Sequence, residues 1–358
     1  MTRQLAFFSQ IIARNLCVLH HTTMASSSSV PSFIDIGVNL TDDMYTGHYH
    51  GRQVHPSDLD LVMDRAKQAG VMKQMVTVGQ LNEIKSALEL TKQFQGQLYC
   101  TAGVHPTRTS QLGQSDTYLH ELRTILDRDG RKYSSSSSDN TGRIIAIGEI
   151  GLDYDRLHFS SKQDQLRHFE LQLQLAKQYR LPLFLHCRAA HDDFVSILRR
   201  HLKEVEEACQ VQGSSRVRSG VVHCFTGSLE EMGEIVEMGL FIGLTGCSFK
   251  TDEGIQVAKQ VPLDRLLLET DAPWCDMRAT HSSAPLLSSF AKARPDLAKL
   301  YQPTSVKKEK WDEAKMIKGR NEPCAIGCVA AVIAQAKGIA IEQVASAALK
   351  NSRFLLGI

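Results

Sequence analysis

Eight short apolar runs, each followed by a stretch long enough for a helix, constrain this chain more than any other feature. They are FIDIGV (33 to 38), VMKQMVTVG (71 to 79), LYCTAGV (98 to 104), RIIAIGEIG (143 to 151), LPLFLHC (181 to 187), GVVHCF (220 to 225), LFIGLTG (240 to 246) and DRLLLET (264 to 270). Such alternation is the signature of βα units and a parallel sheet. Between the runs, SDLDLVMDRAKQAG (with Gly70 as its stop) and SLEEMGEIVEMG read as helices. SKQDQLRHFELQLQLAKQYR carries Leu166, Phe169, Leu173 and Ala176 at helical spacing, and GIAIEQVASAALKNSRFLLGI closes the chain as a further helix. Eight units in one chain predict a single α/β domain, a TIM-type (β/α)8 barrel, with a doubly wound sheet as the alternative.

Three segments stand outside this rhythm. Residues 1 to 31 are set apart as an N-terminal extension, leaving 32 to 358 for the barrel. No acidic residue occurs before Asp35, and Arg3, Arg14, an apolar LAFFSQIIARNLCVL and the serines 26 to 29 give the extension transit-peptide character. The alternative is an upstream extension ahead of a start at Met24, so the expected location is nucleus or cytoplasm, with mitochondrial targeting as the rival. YSSSSSDNT (133 to 141) reads as a mobile polar surface insertion. Met277 to Glu322 is a long basic region beyond the eighth strand, on the side where a barrel builds its site, and its KKEKWDEAKMIKGR fits an exposed mixed-charge helix.

Charge and cysteine usage narrow the function classes. With 41 Lys plus Arg against 39 Asp plus Glu, the formal charge is +2, too little to coat a polyanion, so any nucleic acid must enter a local groove. Nine cysteines without a C-x-x-C pair argue against a disulfide framework and a structural zinc module. No apolar run approaches the roughly 18 residues of a membrane span.

Metal-capable residues recur at the ends of the predicted strands: Asp35, His105, Glu149, His186, His223 and Asp271. That edge is where such barrels place active sites. Glu149 to His186 and His186 to His223 are each 37 residues apart, one βα unit. A lone histidine ending an apolar strand is more often a satisfied core residue than a ligand. An unpaired Glu inside AIGEIG is different, because burying its charge is costly unless a cation or strong donor meets it. Glu149, His186, His223 and Asp271 therefore explain one another as a metal site. Strand alternation turns Cys187 and Cys224, each next to a proposed ligand, towards the packed helices, where they read as core.

In FIDIGVNL, TAGVHPT, AIGEIGLDYDR, LPLFLHCR, GVVHCFTGSLEEM, FIGLTG, LLLETDAPW and KGRNEP the chain resembles the TatD-type metal-dependent deoxyribonucleases, nearest their eukaryotic branch. The resemblance spans nearly everything after residue 32. It implies a barrel of the metal-dependent hydrolase superfamily, DNA as substrate, and metal ligands at Glu149, His186, His223 and Asp271. Many relatives carry an H-x-H pair after the first strand, where this chain has Gly37 and Asn39, so the metal site is expected to be open on that side, with water or substrate phosphate completing it.

Mechanistically, a divalent ion would acidify water for in-line attack on phosphorus, with Glu149 and Asp271 as catalytic ligands and Asp271 taking the proton. The mixed nitrogen and oxygen donors do not name the ion. The resemblance implies Mg2+ or Mn2+, with Zn2+ also compatible, as one or two ions. Asn39, His105, Arg188 and Arg320 are candidate substrate contacts; the alternative for His105 is a structural turn histidine before Pro106, and for the arginines a barrel-closing salt bridge, with Glu322 the partner of Arg320. Asp35 is either an orienting group or a turn cap. Trp274 and Trp311 are candidate base-stacking residues, and Lys307 to Lys318 a candidate backbone contact. A monomer without membrane association is expected. The rival readings are a small-molecule amidohydrolase or phosphoesterase on the same barrel, and a non-catalytic DNA-binding scaffold.

Overall fold

The computed structural model describes residues 30–112, 117–132, 142–211 and 213–358; the extension up to residue 29 and the serine-rich 133–141 lie outside them. Pro31–Ile358 forms a compact unit. One sheet holds β1 (Phe33–Val38), β2 (Val71–Val76), β3 (Leu98–Ala102), β4 (Ile144–Asp153), β5 (Leu183–Arg188), β6 (Gly220–Val222), β7 (Phe241–Leu244) and β8 (Leu266–Leu268). The strands lie in chain order, each parallel to the next. Beyond β8 the chain returns to β1: Val38 bridges Ala272, and the Asp271 and Asn39 amides donate to Gly37 and Ala272 carbonyls at 2.8 and 2.7 Å. The sheet is thereby a nearly closed barrel, as expected. β6 and β8 are shorter than their apolar runs. Just past them Cys224 and Asp271 take left-handed φ angles of 44° and 53°, which end extended backbone.

Helices follow the strands and pack outside: α1 (Leu59–Gln68), α2 (Leu81–Gln93), α3 (Thr117–Asp129), α4 (Lys162–Tyr179), α5 (His191–Ala208), α6 (Leu229–Glu237) and α7 (Asp252–Gln260). Local sequence sets their starts. Ser228 accepts from the Glu231 amide while Glu231 reaches back to Ser228, a reciprocal cap on α6, and Ser161 caps α4 by accepting from the Asp164 amide. The buried side of α4 carries Phe169, Leu173 and Ala176, and also Gln165, His168 and Gln172. Those glutamines matter at the site.

In the region 277–322, α8 (Ala284–Ala293) and α9 (Pro295–Tyr301) precede two short parallel strands, Ser305–Val306 and Met316–Ile317. The expected mixed-charge helix over Lys307 to Lys318 does not form; only a 3-10 turn at Lys308–Lys310 does. Strand pairing on either side, and Trp311 stacked on His55 with centroids 6.2 Å apart, override its helical propensity.

Two last helices, α10 (Ile326–Lys337) and α11 (Ile341–Leu356), complete the described chain. The end of α11 closes the barrel at the N-terminal ends of the strands. There Arg218 donates to the Phe354 carbonyl at 2.8 Å, and Asn351 to the Leu263 and Leu266 carbonyls. Leu355 and Leu356 join Ile34, Ile36, Met75, Phe184, Val221, Phe241 and Leu267 in one buried cluster. Each such side chain contributes roughly 1.5–3 kcal/mol by leaving water. With that end sealed, polar residues converge at the other. No single described helix is long and apolar enough to cross a membrane.

Candidate metal centre

Glu149 projects from the C-terminal half of β4, and one of its oxygens organises the site. Oε1 lies 2.7 Å from His223 Nε2, 2.8 Å from His186 Nδ1 and 3.2 Å from His105 Nε2. The facing nitrogens of His186 and His223 are 3.4 Å apart. Each imidazole turns its other nitrogen to a different orienting group. His186 Nε2 is 3.3 Å from Asp153 Oδ2, His105 Nδ1 is 2.7 Å from Thr107 Oγ1, and His223 Nδ1 is 3.5 Å from Glu269 Oε2. For His186 the contact with Asp153 fixes tautomer and ring orientation, leaving Nδ1 free to donate its lone pair to a metal. At His105 the Thr107 amide donates to Nδ1 at 3.2 Å, which puts the proton on Nε2 and makes it a hydrogen-bond donor to Glu149.

The surroundings enforce this arrangement. Glu269, one residue beyond β8, is fully buried, and its Oε1 accepts from the Cys224 amide beside His223. It fits because two neighbours are glycines: a Cβ on Gly37 would sit 2.3 Å from Glu269 Oε2, and one on Gly243 2.5 Å from Oε1. Phe184 packs its ring on His223 at 4.6 Å. From α4, Gln172 accepts from the Val104 amide at 2.7 Å and donates to its carbonyl at 3.1 Å, which fixes the residue before His105. Gln165 accepts from the Asp153 amide at 2.7 Å and donates to its carbonyl at 2.9 Å. The two glutamines thus clamp the segments that carry His105 and Asp153.

Electrostatics point to a cation. Burial disfavours the Glu149 charge, yet His223 and His105 outweigh it and hold the carboxyl well below its usual range. Burial likewise disfavours charging His223, but Glu149 and Glu269 hold that imidazole well above its ordinary value. Burial pushes His105 down, against Glu149. Carboxylates of Glu149, Asp153 and Glu269 in one buried pocket demand positive charge, and imidazole nitrogens with a carboxylate oxygen are donors a divalent ion accepts. The buried Asp153 Oδ1 has no hydrogen-bond partner, so the pocket still holds unspent acceptor capacity. His105, Glu149 and His186 each offer a donor atom within 4.8 Å of the others, so the residues present fit a metal.

Asp271 borders this group from the barrel seam. Its Oδ1 accepts from Asn39 Nδ2 at 2.9 Å, and Oδ2 from the Cys275 thiol at 3.3 Å. Asn39 is itself held by Thr77, whose hydroxyl donates to Asn39 Oδ1 at 2.7 Å. Burial raises the Asp271 carboxyl to about 6, opposed by His223 and reinforced by Glu149. Asp35 accepts from the Thr270 amide and hydroxyl at 3.0 and 2.6 Å and from the Gly37 amide at 3.2 Å, tying β1 to the segment that bears Asp271.

With this geometry in view, comparison with known proteins is decisive: the family model of TatD related DNases matches residues 34–357. The chain belongs to the TatD family. It is 39% identical over 329 residues to a protein named deoxyribonuclease Tat-D of Schizosaccharomyces pombe, covering 90% of this chain and 95% of that one. It is 32% identical to a protein of Erwinia amylovora named 3'-5' ssDNA/RNA exonuclease TatD, covering 90% and 99%. A crystal structure of a TatD family hydrolase from Entamoeba histolytica superposes with a TM-score of 0.77 at 36% identity, covering 92% and 99%. With the family come the barrel and the enzyme class, a hydrolytic nuclease on a metal-dependent hydrolase fold.

Within this TatD barrel, the sequence expectations sort unevenly. Glu149, His186 and His223 converge, while Asp271 lies at the seam, bonded to Asn39 and Cys275. His105, read as a substrate contact or a turn histidine, places Nε2 3.2 Å from Glu149 Oε1. Asn39 is occupied in holding Asp271. Arg320, another expected substrate contact, is 2% exposed: it bonds Asp58 through both terminal nitrogens at 2.7 and 2.6 Å and Glu322 at 2.9 Å, so it is a buried structural cation. Arg188 stays partly exposed, 3.9 Å from Asp155. Trp274 is 53% exposed, whereas Trp311 is spent on His55.

Cys224 corrects a further expectation: its left-handed backbone breaks the strand alternation and turns the thiol to within 3.7 Å of Cys275 Sγ rather than into the helix layer. Sequence reasoning missed Asp153 and Glu269. Both were legible only as second carboxylates in GEIGLD and LLLETD, apolar surroundings that demand a partner just as those of Glu149 do.

Proposed function

We propose that this chain is a divalent-metal-dependent deoxyribonuclease whose centre is built from Glu149, His186 and His223, with His105 holding Glu149 and Asp271 as the catalytic carboxylate at its edge. The observation that carries the reading is the convergence of three imidazole nitrogens on Glu149 Oε1, with His186 Nε2 turned to Asp153 Oδ2. A divalent ion, Mg2+ or Mn2+ with Zn2+ also compatible, supplies when bound an acidified water and neutralises phosphate oxygens. Asp271, kept part-protonated by burial and aimed by Asn39, is suited to take the proton of the attacking water. Arg188 and the exposed Trp274 are suited to phosphate and base contact.

The deoxyribonuclease names of the relatives favour this reading over a small-molecule amidohydrolase, and the Erwinia relative's name supports exonucleolytic attack on single strands from the 3' end. We read residues 32–358 as one catalytic domain, acting as a monomer in nucleus or cytoplasm. The test is a time course on 5'- and 3'-labelled oligonucleotides with Mg2+, Mn2+ or Zn2+. Metal-dependent shortening from the 3' end, abolished by Glu149→Gln and Asp271→Asn, is expected. Cleavage that survives a chelator, or either variant at near-normal rate, would overturn the assignment.

A further inference from the structure

A second cluster of soft donors lies beside Asp271, outside the histidine group. Cys224 Sγ is 3.7 Å from Cys275 Sγ, Cys275 Sγ is 3.3 Å from Asp271 Oδ2, and donor atoms of all three residues lie within 4.8 Å of one another. Cys247 stands beside the group: its amide donates to Thr245 Oγ1 at 3.1 Å, and the same hydroxyl lies 3.2 Å from Cys224 Sγ. These thiols come from the segments after β6, β7 and β8, far apart in sequence, which is why no C-x-x-C pattern announces them. All three are only partly buried and within reach of a small ion, unlike Cys100, Cys209, Cys324 and Cys328.

We propose that Cys224, Cys247 and Cys275, with Asp271, form a thiolate site for a soft or borderline d10 cation such as Zn2+ or Cd2+, separate in donor chemistry from the histidine centre. Two metal–sulfur bonds of about 2.3 Å at the tetrahedral angle place their sulfurs about 3.8 Å apart. The Cys224–Cys275 spacing meets that without rearrangement. A thiol pair sharing one hydrogen bond also explains 3.7 Å, but it does not explain a carboxylate within 4.8 Å of both sulfurs and a third cysteine carried alongside by the Thr245 hydroxyl. Nor does it explain the backbone: Cys224, Asp271 and Cys275 all hold left-handed φ, at 44°, 53° and 55°, a conformation rare outside glycine and found where side chains must be aimed.

The loop that brings in Cys247 is fitted to the group. A Cβ at Gly246 would sit 2.1 Å from the Cys275 carbonyl oxygen, so the turn can approach only because that residue is glycine. Thr245 Oγ1 accepts from the Cys247 amide at 3.1 Å and touches Cys224 Sγ at 3.2 Å, fixing the Cys247 backbone beside the Cys224 thiol. Three thiolates and a carboxylate overbalance a divalent charge, and Lys250 offsets part of that excess. Because Asp271 faces both centres, a thiophilic ion here also fixes the carboxylate that the nuclease reading uses.

The experiment is a Cd2+ titration of the reduced, desalted full-length protein in excess Mg2+, which as a hard ion does not compete for thiolate. The ultraviolet sulfur-to-cadmium charge-transfer band is the readout, and it is independent of DNA hydrolysis, so it can fail or succeed separately from the functional reading above. A band saturating at one equivalent is expected, lost in Cys224→Ser/Cys275→Ser and retained in His186→Asn. In Cys247→Ser, which removes one of three thiolates, it should fall by about one third. Absence of a saturable band in the wild type, its persistence in the double variant, or an undiminished band in Cys247→Ser overturns the site.

Discussion

Glu269→Gln tests the second layer of the metal centre with almost no change of shape. In the wild type, the two oxygens of Glu269 serve different groups: Oε1 accepts from the Cys224 amide, and Oε2 faces His223 Nδ1 at 3.5 Å. Glutamine has one carbonyl oxygen. If it stays with Cys224, the amide nitrogen confronts the protonated Nδ1 of a His223 whose Nε2 is turned to metal, and if it flips, the Cys224 amide is abandoned. In the first case the negative charge facing a His223 Nδ1 that has no hydrogen bond of its own is lost; in the second the buried Cys224 amide is left unpaired, at roughly 1–3 kcal/mol. Because Glu269 is fully buried, water cannot relieve it.

Expressed through His223, the loss should weaken metal binding or turnover roughly 10- to 100-fold. Calorimetric titration with Mn2+ and hydrolysis of a labelled oligonucleotide at saturating metal measure the two effects, and a melting curve checks that the barrel remains folded. Gly37→Ala reaches the same carboxylate from outside, since its Cβ would lie 2.3 Å from Oε2. Glu269→Gln with metal affinity and kcat within a factor of two of wild type would refute the claim that Glu269 orients His223.

Three further outcomes are expected. Asp153→Asn removes the carboxylate that holds His186 Nε2, so metal affinity should drop roughly 10- to 100-fold with little change in melting temperature; unchanged affinity on Mn2+ titration would contradict the role. Arg320→Ala strands the buried carboxylate of Asp58, while Arg65 still holds Glu322, and should cost roughly 3–5 kcal/mol in urea unfolding; a raised KM for DNA at unchanged stability would restore Arg320 as a substrate contact. In the metal-free protein, burial lifts the Asp271 carboxyl from 3.8 to about 6, so it keeps a proton that the unfolded chain has lost, and this group's contribution to stability falls as pH rises through that window. Metal must also displace the proton that Glu149 and Glu269 keep on His223 well above its ordinary value, so Mn2+ affinity should keep climbing as pH rises past about 6; a profile already level at that point would be contrary.

How much of this was legible in the sequence differs from residue to residue, for physical reasons. Strand order and the placing of Glu149, His186 and His223 at one mouth follow from periodicity, because parallel βα units leave every strand's C-terminal end on the same side. A carboxylate in AIGEIG declares itself by the cost of burying it unpaired. The chain could not declare how side chains share partners across the barrel. His105 sits in a turn before Pro106, and only the distance to Glu149 Oε1 makes it a hydrogen-bond donor to that carboxylate; Arg320 looks like any exposed basic residue until Asp58, 262 positions away, occupies its guanidinium. The expected helix over Lys307 to Lys318 yields to pairing of residues 305–306 with 316–317, since tertiary contacts outweigh tenths of a kcal/mol of propensity per residue.

Cys224 marks the boundary most clearly. Strand alternation assigns it to the helix layer, but alternation holds only while the backbone stays extended, and a φ of 44° at that residue turns its thiol back towards the mouth. Composition and period determined the barrel and which edge carries the chemistry. Backbone angles at single residues, and contacts between segments hundreds of positions apart, decided which groups face the metal, because those depend on three-dimensional closure that no local pattern encodes.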